Sequence, residues 1–204
     1  MSSLVPADVR PKTRTTYETQ TEYVKGNIEK IIFGSSVMNR LFFDYKQDMI
    51  RNLPKQTVVF ADGGATSKHI AWMINQFATD FPHLREKIKK IVFQCGANDV
   101  DTKKNNNMKV AENVKSVFDL IKSLYPNAQI IFLPHYPRGD IDMERLNNLR
   151  QLIIDKIPSE NINNDFWTDV IPMDKYIQSY YEDHIHLNQM TYNNVYLKMK
   201  SLME

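Results

Sequence analysis

Cysteine is nearly missing from this chain of 204 residues: Cys95 stands alone, so no intrachain disulfide can form, which suits a reducing compartment. Long apolar runs are missing too. No stretch approaches the ~20 consecutive apolar residues that a membrane-spanning helix needs, and the first residues lack the apolar core of a secretory leader. The chain as given is therefore expected in the cytoplasm or nucleus, or else to be a fragment whose targeting segment lies elsewhere. An excess of one charge is also lacking. Its 26 Lys and Arg against 24 Asp and Glu leave a formal charge of +2, short of the clustered basic surplus of a dedicated nucleic-acid domain. There is no internal repeat, and the Asn-rich stretch from Lys103 to Asn107 reads as a solvated loop.

What is present is a core-forming composition. With 42% hydrophobic and 25% charged residues, the chain can bury one good-sized core but hardly two, so one domain is expected. Residues 1–27 stand apart. Ser, Thr, Lys, Arg and Pro dominate there, Pro6 and Pro11 disfavour a helix, and Tyr17, Tyr23 and Val24 are among the few apolar handles. This segment is expected to be a flexible or loosely docked arm ahead of a domain over residues 28–204.

From Glu29 onward, short β-branched runs alternate with longer helical patterns, as in βα units whose parallel sheet is covered on both faces. The predicted strands are Lys30 to Phe33, Thr57 to Ala61, Lys90 to Gln94, Gln129 to Leu133 and a weaker fifth at Phe166 to Ile171. The predicted helices are Val37 to Asn52, Ser67 to Thr79, Met108 to Leu124, Met143 to Lys156 and Gln189 to Leu202. Val110, Val114, Val117, Phe118 and Ile121 recur at helical spacing and form one core-facing stripe.

In an open parallel sheet, ligands bind at the carboxyl ends of the strands. The first predicted strand ends at Gly34, the second at Asp62-Gly63-Gly64 and the third at Cys95-Gly96. Glycine there lets the backbone turn sharply and aim amide N–H groups at a developing negative charge. Each segment taken alone has a plain structural explanation. Gly34-Ser35-Ser36 is the N-cap of a helix, Gly63-Gly64-Ala65-Thr66 a turn with Thr66 or Ser67 as cap, and Asn98-Asp99 a turn after a strand. Asp183-His184-Ile185-His186 resists that treatment, because its three-residue spacing lets one turn carry an orienting carboxylate and its imidazole.

The remaining polar residues carry less. His184-Ile185-His186 has no third ligand at metal spacing, so no metal is expected and no cofactor is implied. Cys95 ends an apolar strand and reads as an inert buried thiol. Arg138, after the fourth strand, and Tyr181, near the last motif, are the candidates for substrate contact, against the plainer readings of a solvated loop arginine and an aromatic core residue.

The order of these segments resembles that of the SGNH, or GDSL-type, hydrolase family, from about Lys30 to the C-terminus. That family has Gly-Asp-Ser after the first strand, a Gly in its second block, Gly-x-Asn-Asp in the third and Asp-x-x-His in the fifth. The matches are Gly34-Ser35-Ser36, Gly64, Gly96-Ala97-Asn98-Asp99 and Asp183-His184-Ile185-His186, with Ser35 standing where the family has Asp. Gly64-Ala65-Thr66 also looks like the second block of intracellular and retroelement-associated members. Setting Gly63-Gly64-Ala65 against Gly-Asp-Ser instead would put Ala65 at the nucleophile position and leave the second-block Gly without a counterpart, so it is set aside.

The resemblance implies an α/β fold, a flavodoxin-like three-layer α/β/α sandwich with a five-stranded parallel sheet. It implies Ser36 as nucleophile, His186 as base, Asp183 as its orienting carboxylate, and an oxyanion hole of the Ser36 and Gly64 amides with the Asn98 side chain. The expected substrate is a small ester, acetyl or short acyl, or a lipid. The competing reading is a non-catalytic module of the same fold that binds RNA through Arg40, Lys46, Arg51, Lys55, Lys68, Lys89, Lys90, Lys103 and Lys104. The joint presence of Ser, His and Asp favours the enzyme.

Overall fold

The β-branched runs form strands where their pattern predicts them. In the computed structural model, which describes residues 8–44, 53–100 and 106–204, β1 (Lys30–Gly34), β2 (Thr57–Ala61), β3 (Lys90–Phe93) and β4 (Gln129–Phe132) make one parallel sheet in the order β2-β1-β3-β4. Ile31 lies beside Val58 and Ile91, and Ile91 beside Ile130. Side chains alternate strictly between the faces. Ile31, Phe33, Val58, Phe60, Ile91, Phe93, Ile130 and Phe132 join one apolar cluster, while Ile32, Val59, Ala61, Val92 and Ile131 join the other. Both faces are buried, which is why each strand reads as a nearly continuous apolar run.

In chain order the helices are α1 (Pro11–Thr21), α2 (Ser36–Asn39, continued by a π-type turn over Arg40–Asp44), α3 (Ser67–Asp80), the single turn α4 (Ala97–Val100), α5 (Asn107–Leu124), α6 (Met143–Ile154) and α7 (Gln189–Met203). The first cluster takes Tyr17 from α1, Ile70, Ile74 and Phe77 from α3, Val110, Val114 and Val117 from α5, and Leu146 and Leu149 from α6. The second takes Val37 and Met38 from α2 and Tyr192, Val195 and Met199 from α7. This is the expected three-layer arrangement. Lys90 Nζ donates to Leu202 O at 2.7 Å, and Lys30 Nζ donates to Met203 O and, at 3.0 Å, to Glu204 O. Two cations at the bottom of the sheet thereby satisfy the carbonyl end of α7. Among the described residues, no helix is long and apolar enough to cross a membrane.

Two expectations need correction. Among the described residues the sheet has four strands rather than five: residues 164–170 run as turns, and an isolated bridge between Phe132 and Ile162 is all that continues the sheet beyond β4. Phe166, Trp167, Val170 and Ile171 are buried at the spacing of a helical turn rather than of a strand, and Val170 N and Ile171 N both donate to Trp167 O. The N-terminal segment, read as a place where proline disfavours a helix, instead contains α1. Pro11 occupies the start of that helix, where the missing N–H has no intrahelical partner to lose. Of the predicted helix Val37 to Asn52, residues 45–52 lie outside the described residues, as do Lys103 and Lys104.

Candidate active site

β1 lies between β2 and β3, so its carboxyl end is the point where the strand order reverses, the place at which open parallel sheets bind ligands. Gly34 closes the strand, Ser35 precedes the first turn of α2, and Ser36 opens it. A carbon atom on Gly34 would lie 2.2 Å from Met38 Cγ, so the side chain of α2 requires glycine here. The Ser35 side chain makes no capping hydrogen bond, and the half-buried Ser36 hydroxyl has no partner among the described residues. The plain N-cap explanation of these serines therefore fails: neither hydroxyl is used to satisfy the helix.

The turn after β2 carries Gly64, exposed and at φ +77°, a conformation that favours glycine. Asp62 N donates to Gly34 O at 3.2 Å, and Ala65 O accepts from Asn98 Nδ2 at 2.8 Å. The three loops after β1, β2 and β3 are thus tied edge to edge. Gly96, at φ +98°, admits no side chain, since a carbon atom there would meet Val114 Cγ2 at 2.8 Å and His135 Nε2 at 3.1 Å. Asp99 is buried, and its Oδ2 accepts from Ser67 N at 2.8 Å while its Oδ1 accepts from Asn113 Nδ2 at 3.2 Å. A carboxylate at the amino end of α3 both satisfies an orphan amide and complements the helix dipole. Sequence reasoning left Asp99 without a task; its partner Ser67 lies 32 residues away.

The last motif forms a closed unit just before α7. His186 Nδ1 lies 2.8 Å from Asp183 Oδ2, and Asp183 Oδ1 accepts from the amides of Ile185 and His186, each at 2.7 Å. Burial alone would raise the Asp183 carboxyl, but the bonds from the His186 ring and from the two amides outweigh it and hold the group well below the usual carboxylate range. With the carboxylate accepting at Nδ1–H, the imidazole keeps its lone pair on Nε2. Nε2 has no partner among the described residues, and the ring is 19% exposed. Arg40, one helical turn after Ser36, donates to Glu182 Oε2 at 3.2 Å, and Glu182 N donates to His186 O at 2.9 Å. These links bring the helix of Ser36 and the turn of His186 side by side.

The loop after β4 ties the loop after β3 to the turn before α7. Arg138 is 3% exposed and pairs with both oxygens of Asp140, at 2.9 and 2.6 Å, while its Nη1 donates to Ala97 O at 3.2 Å. Gly139 N donates to His184 O at 2.7 Å and Tyr136 Oη to Ile185 O at 2.9 Å. Tyr181 is buried and donates its hydroxyl to Pro137 O. Arg138 and Tyr181, named as candidates for substrate contact, are therefore turned inward to backbone carbonyls and a carboxylate.

The other titratable groups are accounted for. Burial pushes the Cys95 thiol far up, so it is no nucleophile. His135 Nε2 lies 2.8 Å from Cys95 O; the carbonyl can only accept, so Nε2 carries the proton, and burial pushes the pKa down to about 4. Of the basic residues named for an RNA-binding surface, Arg40 pairs with Glu182, Lys89 with Glu29 at 2.8 Å, and Lys90 caps α7.

No family model and no curated protein matches the sequence. Solved structures do. A GDSL-like lipase from Bacteroides thetaiotaomicron superposes with a TM-score of 0.65 at 17% identity, covering 93% of this chain and 94% of its own. The protein shares the SGNH, or GDSL-type, hydrolase fold. A member of the lipolytic G-D-S-L family from Veillonella parvula gives a TM-score of 0.65 at 15% identity over 86% and 97% of the two chains. A carbohydrate esterase of family 3 from Talaromyces cellulolyticus gives 0.61 at 12% identity over 86% and 96%. At these identities, 12–17%, the SGNH likeness is one of fold.

Proposed function

We propose that the protein is a serine esterase that hydrolyses acetyl or short acyl esters through Ser36, His186 and Asp183. The observation that carries this reading is the Asp183–His186 pair, which fixes the imidazole tautomer and leaves Nε2 free to act as a base beside the helix that Ser36 opens. The names of the fold neighbours, a lipase and a carbohydrate esterase among them, support the same reaction class. Ester substrates follow from that chemistry.

In the proposed reaction, the Ser36 oxygen attacks the ester carbonyl carbon as His186 Nε2 takes the hydroxyl proton, and Asp183 stabilises the imidazolium. The carbonyl oxygen becomes an oxyanion, met by the backbone amides of Ser36 and Gly64 and by Asn98 Nδ2, whose other hydrogen is held by Ala65 O. Collapse breaks the ester C–O bond, and His186 returns the proton to the departing alcohol. Water, deprotonated by the same nitrogen, then attacks the acyl-enzyme and releases the acid. A hydroxyl and an imidazole unbonded in the free protein fit this scheme, because such contacts commonly tighten only when substrate binds.

Turnover of 4-nitrophenyl acetate by purified protein tests the assignment. Ser36→Ala is expected to lose about 10⁴-fold or more in kcat, and Asn98→Ala about 10²- to 10³-fold. Normal turnover by Ser36→Ala contradicts the assignment.

A further inference from the structure

α1 sets two cations against the outer side of the turn that carries Gly64. Arg10 Nε donates to Thr13 Oγ1 at 2.7 Å, and its Nη2 donates to Asp62 Oδ2 at 2.6 Å and to Gly63 O at 3.0 Å. Lys12 Nζ donates to Gly63 O at 3.1 Å and lies 3.8 Å from Asp62 Oδ1. A carbon atom built on Gly64 would lie 3.5 Å from Arg10 Nη1, so the guanidinium stands directly beside this residue. Nη1 itself donates to nothing among the described residues. Asp62 is wholly buried and holds the inner edge of the fork, whereas the Arg10 side chain is 32% exposed and that of Lys12 64%.

Two positive groups against one carboxylate leave a local surplus of one positive charge. Lys68, exposed at the start of α3, adds another positive charge and makes no ion pair among the described residues, while the buried Asp99 at the same helix end offsets it, so the surplus stays at one. Among these charges His69 is held below its ordinary pKa, first by burial and then by Arg10, so it adds no positive charge of its own at neutral pH. The outward edge of Arg10 is also pre-set. Its inner edge is fixed by Thr13, Asp62 and Gly63, so an anion that binds Nη1 immobilises little that was free.

We infer that Arg10 and Lys12 recognise an anionic group, a carboxylate or a phosphate, carried on the substrate close to the ester. The inference rests on the reading of Gly64 as an oxyanion donor. Because Arg10 Nη1 stands beside Gly64, an ester oxygen at the Gly64 amide would leave a short anionic substituent within reach of the Arg10 edge, where guanidinium geometry suits both carboxylate and phosphate. A neutral ester leaves Nη1 to water.

Three acetyl esters of one shape test this: 4-acetoxybenzamide, 4-acetoxybenzoate and 4-acetoxyphenyl phosphate, which differ in the charge at one end. At least one anionic ester is expected to exceed the amide in kcat/KM by about tenfold, as one charge-assisted hydrogen bond provides. Added salt should shrink that advantage. The ratio of anionic to neutral kcat/KM is expected to fall toward one in the Arg10→Gln/Lys12→Gln protein, and a loss of folded enzyme cancels from that ratio. Arg10→Lys keeps the ion pair to Asp62 and loses the outward N–H, so it should fold normally and still lose part of the preference. An unchanged ratio in these variants, or equal kcat/KM for all three esters in the starting protein, overturns the inference. Titration of Ser36→Ala with 4-hydroxybenzoate and 4-hydroxyphenyl phosphate separates it from the catalytic proposal. Arg10-dependent binding without ester turnover would leave the anion site standing and remove the esterase reading, while turnover with no charge preference would do the reverse.

Discussion

A single hydrogen atom decides whether β1 can pass into α2 in this shape: a methyl group on Gly34 would sit 2.2 Å from Met38 Cγ and 2.5 Å from its Cβ. Gly34→Ala is therefore expected to cost about 1–3 kcal/mol, read as a lower Tm, and Gly34→Ala/Met38→Ala is expected to restore little of it, because alanine keeps the Cβ that the new methyl meets. His135 bears on stability rather than on chemistry. In the fold it stays neutral down to about pH 4, while in the unfolded chain it takes up a proton near 6.5, so the unfolded state binds more protons between those values. Stability must then fall as the pH drops through that window, by up to about 3 kcal/mol from this group, and urea midpoints at pH 7 and pH 5 should differ less in His135→Gln. Asp183 has the opposite origin and the same sign. Its carboxyl is held below the unfolded value, so its contribution is present at neutral pH and fades as the pH falls below about 4. Several of these roles cannot be read along the chain. Asp99 accepts from Ser67, 32 residues away, and Arg138, besides its neighbour Asp140, reaches Ala97 O, 41 residues away, so neither cross-link is marked by the sequence around it.

At the scale of elements, the four strands were legible because fully buried parallel strands must be apolar on both faces, as Lys30–Gly34 and Thr57–Ala61 are. The segment around Trp167 has the same composition but buries its side chains in pairs four residues apart, a distinction that composition does not reveal. α1 was hidden for another reason: its buried side chains are Thr13, Tyr17 and Gln20, two of them polar, so it shows no apolar stripe. Its attachment is by hydrogen bonds as much as by contact. Gln20 Nε2 donates to Ala61 O at 2.6 Å and Gln20 Oε1 accepts from Ala61 N at 2.9 Å, which closes the exposed edge of β2, while Tyr17 stacks on Phe60 and donates to Asp80 Oδ2 at 2.9 Å. Gln20→Ala leaves a buried amide and a buried carbonyl without partners. It is expected to cost about 1–3 kcal/mol, seen as a lower denaturant midpoint and as faster hydrogen exchange at Ala61.

At the scale of the molecule, the candidate site draws on the loops that follow β1, β2, β3 and β4 and on the turn before α7, with Arg138, Gly139 and Tyr136 bridging the third loop and that turn. The order of Ser36, Gly64, Asn98 and Asp183-x-x-His186 along the chain pointed to such a site, because parallel βα units deliver every strand's carboxyl end to the same edge. Covalent labelling with a fluorophosphonate, located by mass spectrometry, decides whether Ser36 is an activated nucleophile. One adduct is expected, on Ser36, forming far more slowly in His186→Ala although the protein stays folded. A folded protein that stays unlabelled at Ser36, or carries the adduct on another residue, contradicts the Ser36 assignment.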